Sequence, residues 1–335
     1  MADIAKLAGV HSSTVSRALA GSPLVARKKR DQILKLARER GYVINSAARN
    51  LRLQRTQTIS VAIPLGHEAG QALTDPFFVE MLGHLADEIT QRGYGMFLQK
   101  ILPPMDNWLP RLIASHRADG IIIVGQSTEH AAIEAAAANY QPMVVWGGHL
   151  EHQTYCSVGT DNMGGGRVVV EHLIRTGRRK ILFLGDTSVP EIRLRYEGYK
   201  YALANAPKGT ARERIVPAHL TAEAAYEAMR AFIGGGGGEF DAVFGATDVI
   251  ALSAIRAIAA AGLTVPKDVS VVGFDDVAMA AHFNPTLTTM RQDIARGARM
   301  LVDLLLRRLN GEETPSATMP AELILRESSA LPAPV

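Results

Sequence analysis

The chain of 335 residues contains one cysteine, two tryptophans and few aromatic residues of any kind (6%). A lone cysteine, Cys156, excludes an internal disulfide and any Cys-x-x-Cys metal motif, which suits a reducing compartment; it reads as a small core filler. No apolar run reaches the ~18–20 residues that a membrane span needs. Asp3, Lys6 and His11 interrupt the start, so no signal-peptide profile is present and a cytoplasmic protein without membrane association is expected. Catalytic signatures are missing too: there is no Gly-x-Ser-x-Gly, His-Glu-x-x-His or kinase-like set. His67, His149, His152 and His219 lack metal-ligand spacing. Neither an enzyme, a metal site nor a cofactor is expected.

The net charge of +3 is small, but it is unevenly distributed. Residues 1–58 hold 12 Lys and Arg against three acids, Asp3, Asp31 and Glu39, while the remainder holds 24 against 30. A basic head on a mildly acidic body is the charge pattern of a polyanion binder. Within the head, Ile4, Leu7 and Ala8 form one apolar stripe and Val15, Ala18 and Leu19 a second. Ile33, Leu34, Leu36 and Ala37 form a third. Gly9-Val10 makes a turn, Gly21-Ser22-Pro23 ends the second stripe and Gly41 stops the third. Three short helices with a glycine turn between the first two predict a helix-turn-helix, whose second helix enters the DNA major groove. The stretch AGVHSSTVSRAL (8–19) fits that role, because its outer face carries only Ser12, Ser13, Ser16 and Arg17.

The segment AxLAGVxxxTVSRxL, followed by Gly41-Tyr42, Asn45, Ala47-Ala48 and Leu51, resembles the DNA-binding head of the LacI/GalR (lactose-repressor) family, and the resemblance extends through almost the whole chain. By position it implies base contacts from Ser12, Ser13 and Arg17 and phosphate-proximal roles for Thr14, Ser16, Asn45 and third-helix residues. Arg17 is the strongest specificity candidate, since an arginine fork pairs with guanine O6 and N7. NSAARNLRL (45–53) resembles the family's hinge helix. Ala48 lies on it, Leu51 matches the leucine that wedges between central base pairs, and Arg52 suits a narrow minor groove. The chain departs from the family in three places. Met1-Ala2 offers no hydroxyl cap for the first helix, a cost of roughly 1 kcal/mol, and suggests a true start a few residues upstream. His11 stands at the usual cap serine of the recognition helix. Ala26 and Lys29 replace a cap serine and a threonine, and the run Arg27-Lys28-Lys29-Arg30 is expected to add phosphate affinity, which includes Lys29 among the DNA contacts.

Beyond residue 57, short apolar runs alternate with helical patterns. The runs are TISVAIP (58–64), DGIIIVG (119–125), PMVVWGG (142–148), KILFLGD (180–186), DAVFGATD (241–248) and SVVGFDD (270–276); helices are placed at 77–93, 163–177, 193–205, 222–233 and 249–262. Such alternation predicts parallel sheets covered on both faces, with ligands beyond the carboxyl ends of the strands. The expected fold is therefore an N-terminal all-α helix-turn-helix head with a hinge helix, on an α/β two-lobed body resembling type I periplasmic binding proteins. The divisions are 1–44 (head), 45–56 (hinge) and 57–331 (effector-binding and dimerisation domain). Chain crossings expected near 156–161, 285–290 and 315–320 give an N-lobe of 57–157 plus 290–317 and a C-lobe of 160–286 plus 320–331. The glycine-rich GTDNMGGGR (159–167) matches neither a P-loop nor Gly-x-Gly-x-x-Gly and reads as a helix opening with Asn162 as cap.

By resemblance, Asp275 and Arg195 are the effector-binding pair, with Arg193 a possible second cation, and Thr247 and Gln292 reach the same cleft. Asp75, Phe77 and Phe78 form a loop whose aromatic ring stacks on the ligand. The alternative for Asp275 and Arg195 is a salt bridge between loops. Two arginines suit a sugar acid or phosphosugar as readily as a neutral sugar, while Gly147-Gly148 and His219-Leu220 replace groups that relatives often carry. One recognition helix reads half a palindrome, so a homodimer on a palindromic double-stranded operator is expected. Its face would lie along the helix at 77–92, without a tetramerising tail. The function expected is sequence-specific repression of sugar or sugar-acid uptake and catabolism genes, switched by a small sugar-like effector; the alternative is a sugar-binding protein with a vestigial head.

Overall fold

The computed structural model describes residues 1–19, 22–40, 55–65, 70–102, 106–210 and 213–329. Two compact units emerge, Met1–Thr56 and Gln57–Val335. In the first, helices α1 (Ala2–Ala8), α2 (Ser12–Leu19) and α3 (Arg27–Glu39) close around Ile4, Ala8, Val15, Ala18, Val25, Ile33 and Ala37. Each helix contributes residues three or four apart, so most of the stripe residues read from sequence form one small core, but Leu7, expected in the first stripe, is exposed. Helix α1 starts without a side-chain cap and ends at Gly9, whose φ of 63° lets the Val10 amide return to the Ala5 carbonyl at 3.0 Å.

The second unit begins with β1 (Thr58–Pro64), α4 (Pro76–Gln91), β2 (Gly95–Ile101), α5 (Trp108–Ala114), β3 (Gly120–Val124), α6 (His130–Ala137), β4 (Met143–Trp146) and β5 (Ser157–Thr160). It continues with α7 (Asn162–Arg175), β6 (Ile181–Leu184), α8 (Pro190–Ala204), β7 (Ile215–Val216), α9 (Ala222–Gly234), β8 (Ala242–Gly245), α10 (Asp248–Ala260) and β9 (Ser270–Asp275). A 3₁₀ turn at Ala278–Ala281 precedes β10 (Thr288–Arg291), α11 (Ile294–Leu309), β11 (Ala317–Met319) and β12 (Glu322–Ile324). The strands form two six-stranded sheets, in the orders β11-β5-β4-β3-β1-β2 and β12-β10-β9-β8-β6-β7. Every pairing is parallel except β10 with β12. Each apolar run read from sequence is a central strand, buried almost throughout.

The chain passes between lobes slightly later than the sequence suggests. β10 pairs with β9 through Arg291, so residues 288–291 stay in the second sheet and the chain returns to the first lobe over 291–294 rather than 285–290. β5 holds the first sheet through Thr160, and the last passage lies at 319–322, between β11 and β12. Helix α11 then seats Leu301, Val302 and Leu305 in the first lobe's core, each worth roughly 1.5–3 kcal/mol of burial. Among the described residues no helix is long and apolar enough to cross a membrane.

A buried histidine ties the second lobe together. His172 of α7 lies 2.9 Å from the Ser329 hydroxyl through Nε2, and burial pushes its pKa below the ordinary 6.5. The unfolded chain then takes up this proton more readily than the folded one. Its contribution is complete above about pH 6.5 and is lost as pH falls through that value toward the folded pKa. His172→Gln is expected to flatten the fall in Tm between pH 7 and pH 5. Equal slopes for both proteins in calorimetry would refute that role.

Candidate functional sites: a polar helix face and a cleft between two lobes

In the head, α2 buries Val15 and Ala18 and leaves Ser12, Ser13 and Arg17 exposed, with Thr14 and Ser16 half-buried beside them. Small hydroxyls and one guanidinium therefore face outward from a helix whose other side is fixed in the core, as close groove contact requires. His11 sits at the start of α2; its Nδ1 lies 3.1 Å from Ser13 Oγ and its carbonyl accepts from the Thr14 amide at 2.9 Å. Lys29 departs from the sequence reading. Its ammonium donates to the Ala8 carbonyl at 2.6 Å, satisfying the C-terminal end of α1 instead of extending outward with Arg27 and Lys28. Asn45, Ala48, Leu51 and Arg52 lie outside the described residues.

In the body, a cleft of about 730 Å³, its open mouth included, separates the two sheets at their carboxyl ends. Helix starts and strand ends supply its wall. Asp75 caps α4 by accepting from the Phe77 amide at 3.0 Å and is approached by Gln71 Nε2 at 3.4 Å; burial nonetheless raises its pKa. Phe77 stands 5.6 Å from Phe78 and 6.3 Å from Trp146, so the first lobe offers an aromatic surface. The second lobe supplies Arg195, which is 5% exposed and heavily engaged. Its Nε donates to Asn162 Oδ1 at 2.8 Å, one terminal nitrogen donates to the Ala246 carbonyl at 2.6 Å, and the guanidinium lies 3.7 Å from the Phe274 ring centroid. The same nitrogen is 3.5 Å from Asp275 Oδ1, which also accepts from Gln292 Nε2 at 2.7 Å. Thr247 caps α10 through Oγ1 and faces the cleft.

Asp275 is held in an unusual backbone conformation, φ 126°, followed by Asp276 at φ 59°. Non-glycine residues avoid this region unless neighbours enforce it, and such strain concentrates at binding sites. Two anchors enforce it here. Buried Asp248 accepts from Thr289 Oγ1 at 2.5 Å and from the Val277 amide at 2.9 Å, while Asp276 pairs with Arg326 at 2.6 Å and Arg291 at 2.7 Å. Burial pushes the Asp275 carboxyl well above the usual range; Arg195 lowers it and Asp248 and Asp75 raise it further.

The glycine run 164–166 serves helix packing. Asp161, not Asn162, caps α7 by accepting from the Gly164 amide at 2.8 Å. A Cβ on Gly166 would fall 2.2 Å from the Arg195 carbonyl, and one on Gly198 2.0 Å from the Met163 carbonyl, so α7 and α8 touch backbone to backbone. That contact frees Asn162 to orient Arg195.

The cleft thus assembles Asp75, Phe77, Phe78, Arg195, Thr247, Asp275 and Gln292. Arg193 is not among its lining residues: one helical step from Ile192 and two from Arg195, it is exposed. Sequence reasoning missed Trp146, Thr160, Asn162 and Glu191, all of which face the cleft. Trp146 ends an apolar strand and Glu191 opens a helix after one, so the rule that ligands sit beyond strand carboxyl ends was the available signal. Glu191 also reaches across the lobes to accept from the Gln126 amide at 3.2 Å. Gly148 lets Leu194 pack close to the chain, since a Cβ there would meet its side chain at 2.5 Å.

A helix-turn-helix head carried with a two-lobed, ligand-sized cleft defines a class of one-chain regulators that join a DNA reader to a small-molecule sensor. The chain belongs to the LacI family of bacterial regulatory proteins. The profile described as bacterial regulatory proteins of the lacI family matches residues 1–45, and the periplasmic binding protein-like domain matches residues 170–329. The HTH-type transcriptional regulator CelR of Thermobifida fusca is 30% identical, over 97% of this chain and 96% of that protein. The Lac repressor dimer bound to operator and the anti-inducer ONPF superimposes with a TM-score of 0.85 at 26% identity, covering 98% of both chains. The CelR–cellobiose complex superimposes at 0.69 with 29% identity, covering 97% of this chain and 98% of that one.

Proposed function

We propose that this chain is a cytoplasmic, homodimeric repressor that binds a palindromic operator and is switched by a sugar or sugar derivative bound between its lobes. The observation that carries the reading is the strained Asp275, set against Arg195 and Gln292 at the floor of a cleft with an aromatic wall. A carboxylate accepts two adjacent hydroxyls, and aromatic rings cover a sugar's apolar face. Similarity to the operator-bound Lac repressor dimer and to the cellobiose complex of CelR supports both halves of the proposal. Ser12, Ser13 and Arg17 would read bases, with Thr14, Ser16 and Asn45 near phosphates. Ala48, Leu51 and Arg52 would enter the minor groove as part of a hinge over 45–56. The packed three-helix core, with a polar face held outward, favours this over a vestigial head. An effector acts by preferring one lobe arrangement, which shifts the population that fits DNA.

Selection of bound duplexes from a random pool by the purified chain tests this proposal. A palindrome should emerge. Arg17→Ala should then relax base preference at one position per half-site, costing about 1–3 kcal/mol there. An unchanged preference profile would remove Arg17 from base readout.

A further inference from the structure

Resting on that reading, we propose that the cleft selects its effector by charge: it takes uncharged or amine-bearing polyols and rejects carboxylate- and phosphate-bearing ones, with Glu191 as the residue that enforces the choice. Three carboxyls, Asp75, Glu191 and Asp275, stand on its wall; among the described residues Arg195 is the one cation there. That guanidinium is already committed to Asn162, the Ala246 carbonyl and Asp275, and it stacks on Phe274. The second arginine that an anionic sugar would use, Arg193, is exposed and is not on the wall. Among the described residues an incoming carboxylate would find no cation free of a carboxyl partner, and it would be set against three acidic side chains in a cavity lined on one side by Phe77, Phe78 and Trp146. Water screens little in such a place.

Ligand hydroxyls can donate to these three carboxyls and an ammonium can pair with them by its charge, whereas a carboxylate or phosphate brings only further acceptors. The uncommitted group best placed for a hydroxyl is Thr160: it is 4% exposed, faces the cleft, and among the described residues its Oγ1 has no hydrogen-bond partner. Glu191 is the natural enforcer. Asp75 is occupied as a helix cap and Asp275 is held by Arg195 and Gln292, whereas Glu191 spends one oxygen on the Gln126 amide across the lobes. Glutamine keeps that acceptor and loses the charge.

The test is isothermal titration of the full chain with sets of equal skeleton and different charge. These are glucose, glucosamine, glucuronate and glucose 6-phosphate, then galactose, galactosamine and galacturonate, then cellobiose and cellobionate. In the set that binds, the anionic member should be weaker than its neutral parent by at least about tenfold, the scale of one like-charge contact at intermediate dielectric. Glu191→Gln should narrow that gap, measured as the ratio of anionic to neutral affinity within one set. An anionic member binding as tightly as its parent would overturn the inference while leaving the sugar reading standing. A gap unchanged by Glu191→Gln would remove Glu191 as its cause. Binding by no member of any set would overturn the sugar reading, and the charge rule with it.

Discussion

An Asp275→Asn protein is expected to bind its selected duplex as the unaltered chain does and to remain bound when effector is added. The carboxylate sits at the cleft floor, far in sequence from the head, and its backbone is held by Asp248 and Asp276 rather than by its own side chain. Asparagine can still accept from Gln292, so the loop should persist. What disappears is a charged acceptor for two ligand hydroxyls. Hydrogen bonds to charged groups contribute about 1.5–3 kcal/mol each, so effector affinity should fall a hundredfold or more. The same carboxyl makes the response pH-dependent. Its pKa lies above the ordinary value because of burial, and hydroxyl donors require the ionised form. Effector affinity should therefore rise with pH until the raised pKa is passed and be level above it, and Asp275→Asn should flatten that rise. Titrations at several pH values check both expectations. A variant that unfolds would instead identify the Arg195–Asp275 pair as chiefly structural.

The largest loss of stability is expected from Gly198→Val. Here α7 and α8 approach so closely that even a Cβ would lie 2.0 Å from the Met163 carbonyl and 2.7 Å from the Arg167 amide nitrogen. Those atoms are backbone and cannot rotate away, so the helices must separate, at a cost of about 3 kcal/mol or more. Separation also moves Arg195, three residues earlier on α8, away from Asn162. Molecules that still fold should have lost effector binding. Gly234→Ala is the matched control: this last residue of α9 has nothing within 4 Å of an added Cβ. The substitution should change stability by less than about 1 kcal/mol. Thermal unfolding of both variants gives the comparison.

Much of this architecture was legible because it rests on periodicity. The head's stripes and the body's six apolar runs are patterns that a buried core requires, and each proved to be a helix face or a central strand. The edges were not legible. β2 is half-exposed, β7 has two residues, and β11 and β12 have three each, too short to carry a pattern. The passages between lobes were misplaced by a few residues for the same reason, since pairing of β10 with β9 is a long-range fact. At the site, resemblance found residues that match by position, but it could not say which way Arg193 faces. It also missed Glu191, whose importance comes from a neighbour 65 positions away. Lys29 is the same lesson in the head: a basic run suggests phosphate, yet one member closes a helix.

The most direct measurement is fluorescence anisotropy of the selected palindromic duplex with the full chain, titrated with neutral sugars, in parallel with Asp275→Asn. Regulation through the cleft predicts that at least one sugar changes the duplex affinity of the unaltered chain by tenfold or more and leaves the variant unmoved. A sugar that shifts both proteins equally, or a duplex affinity that no sugar changes, would contradict it.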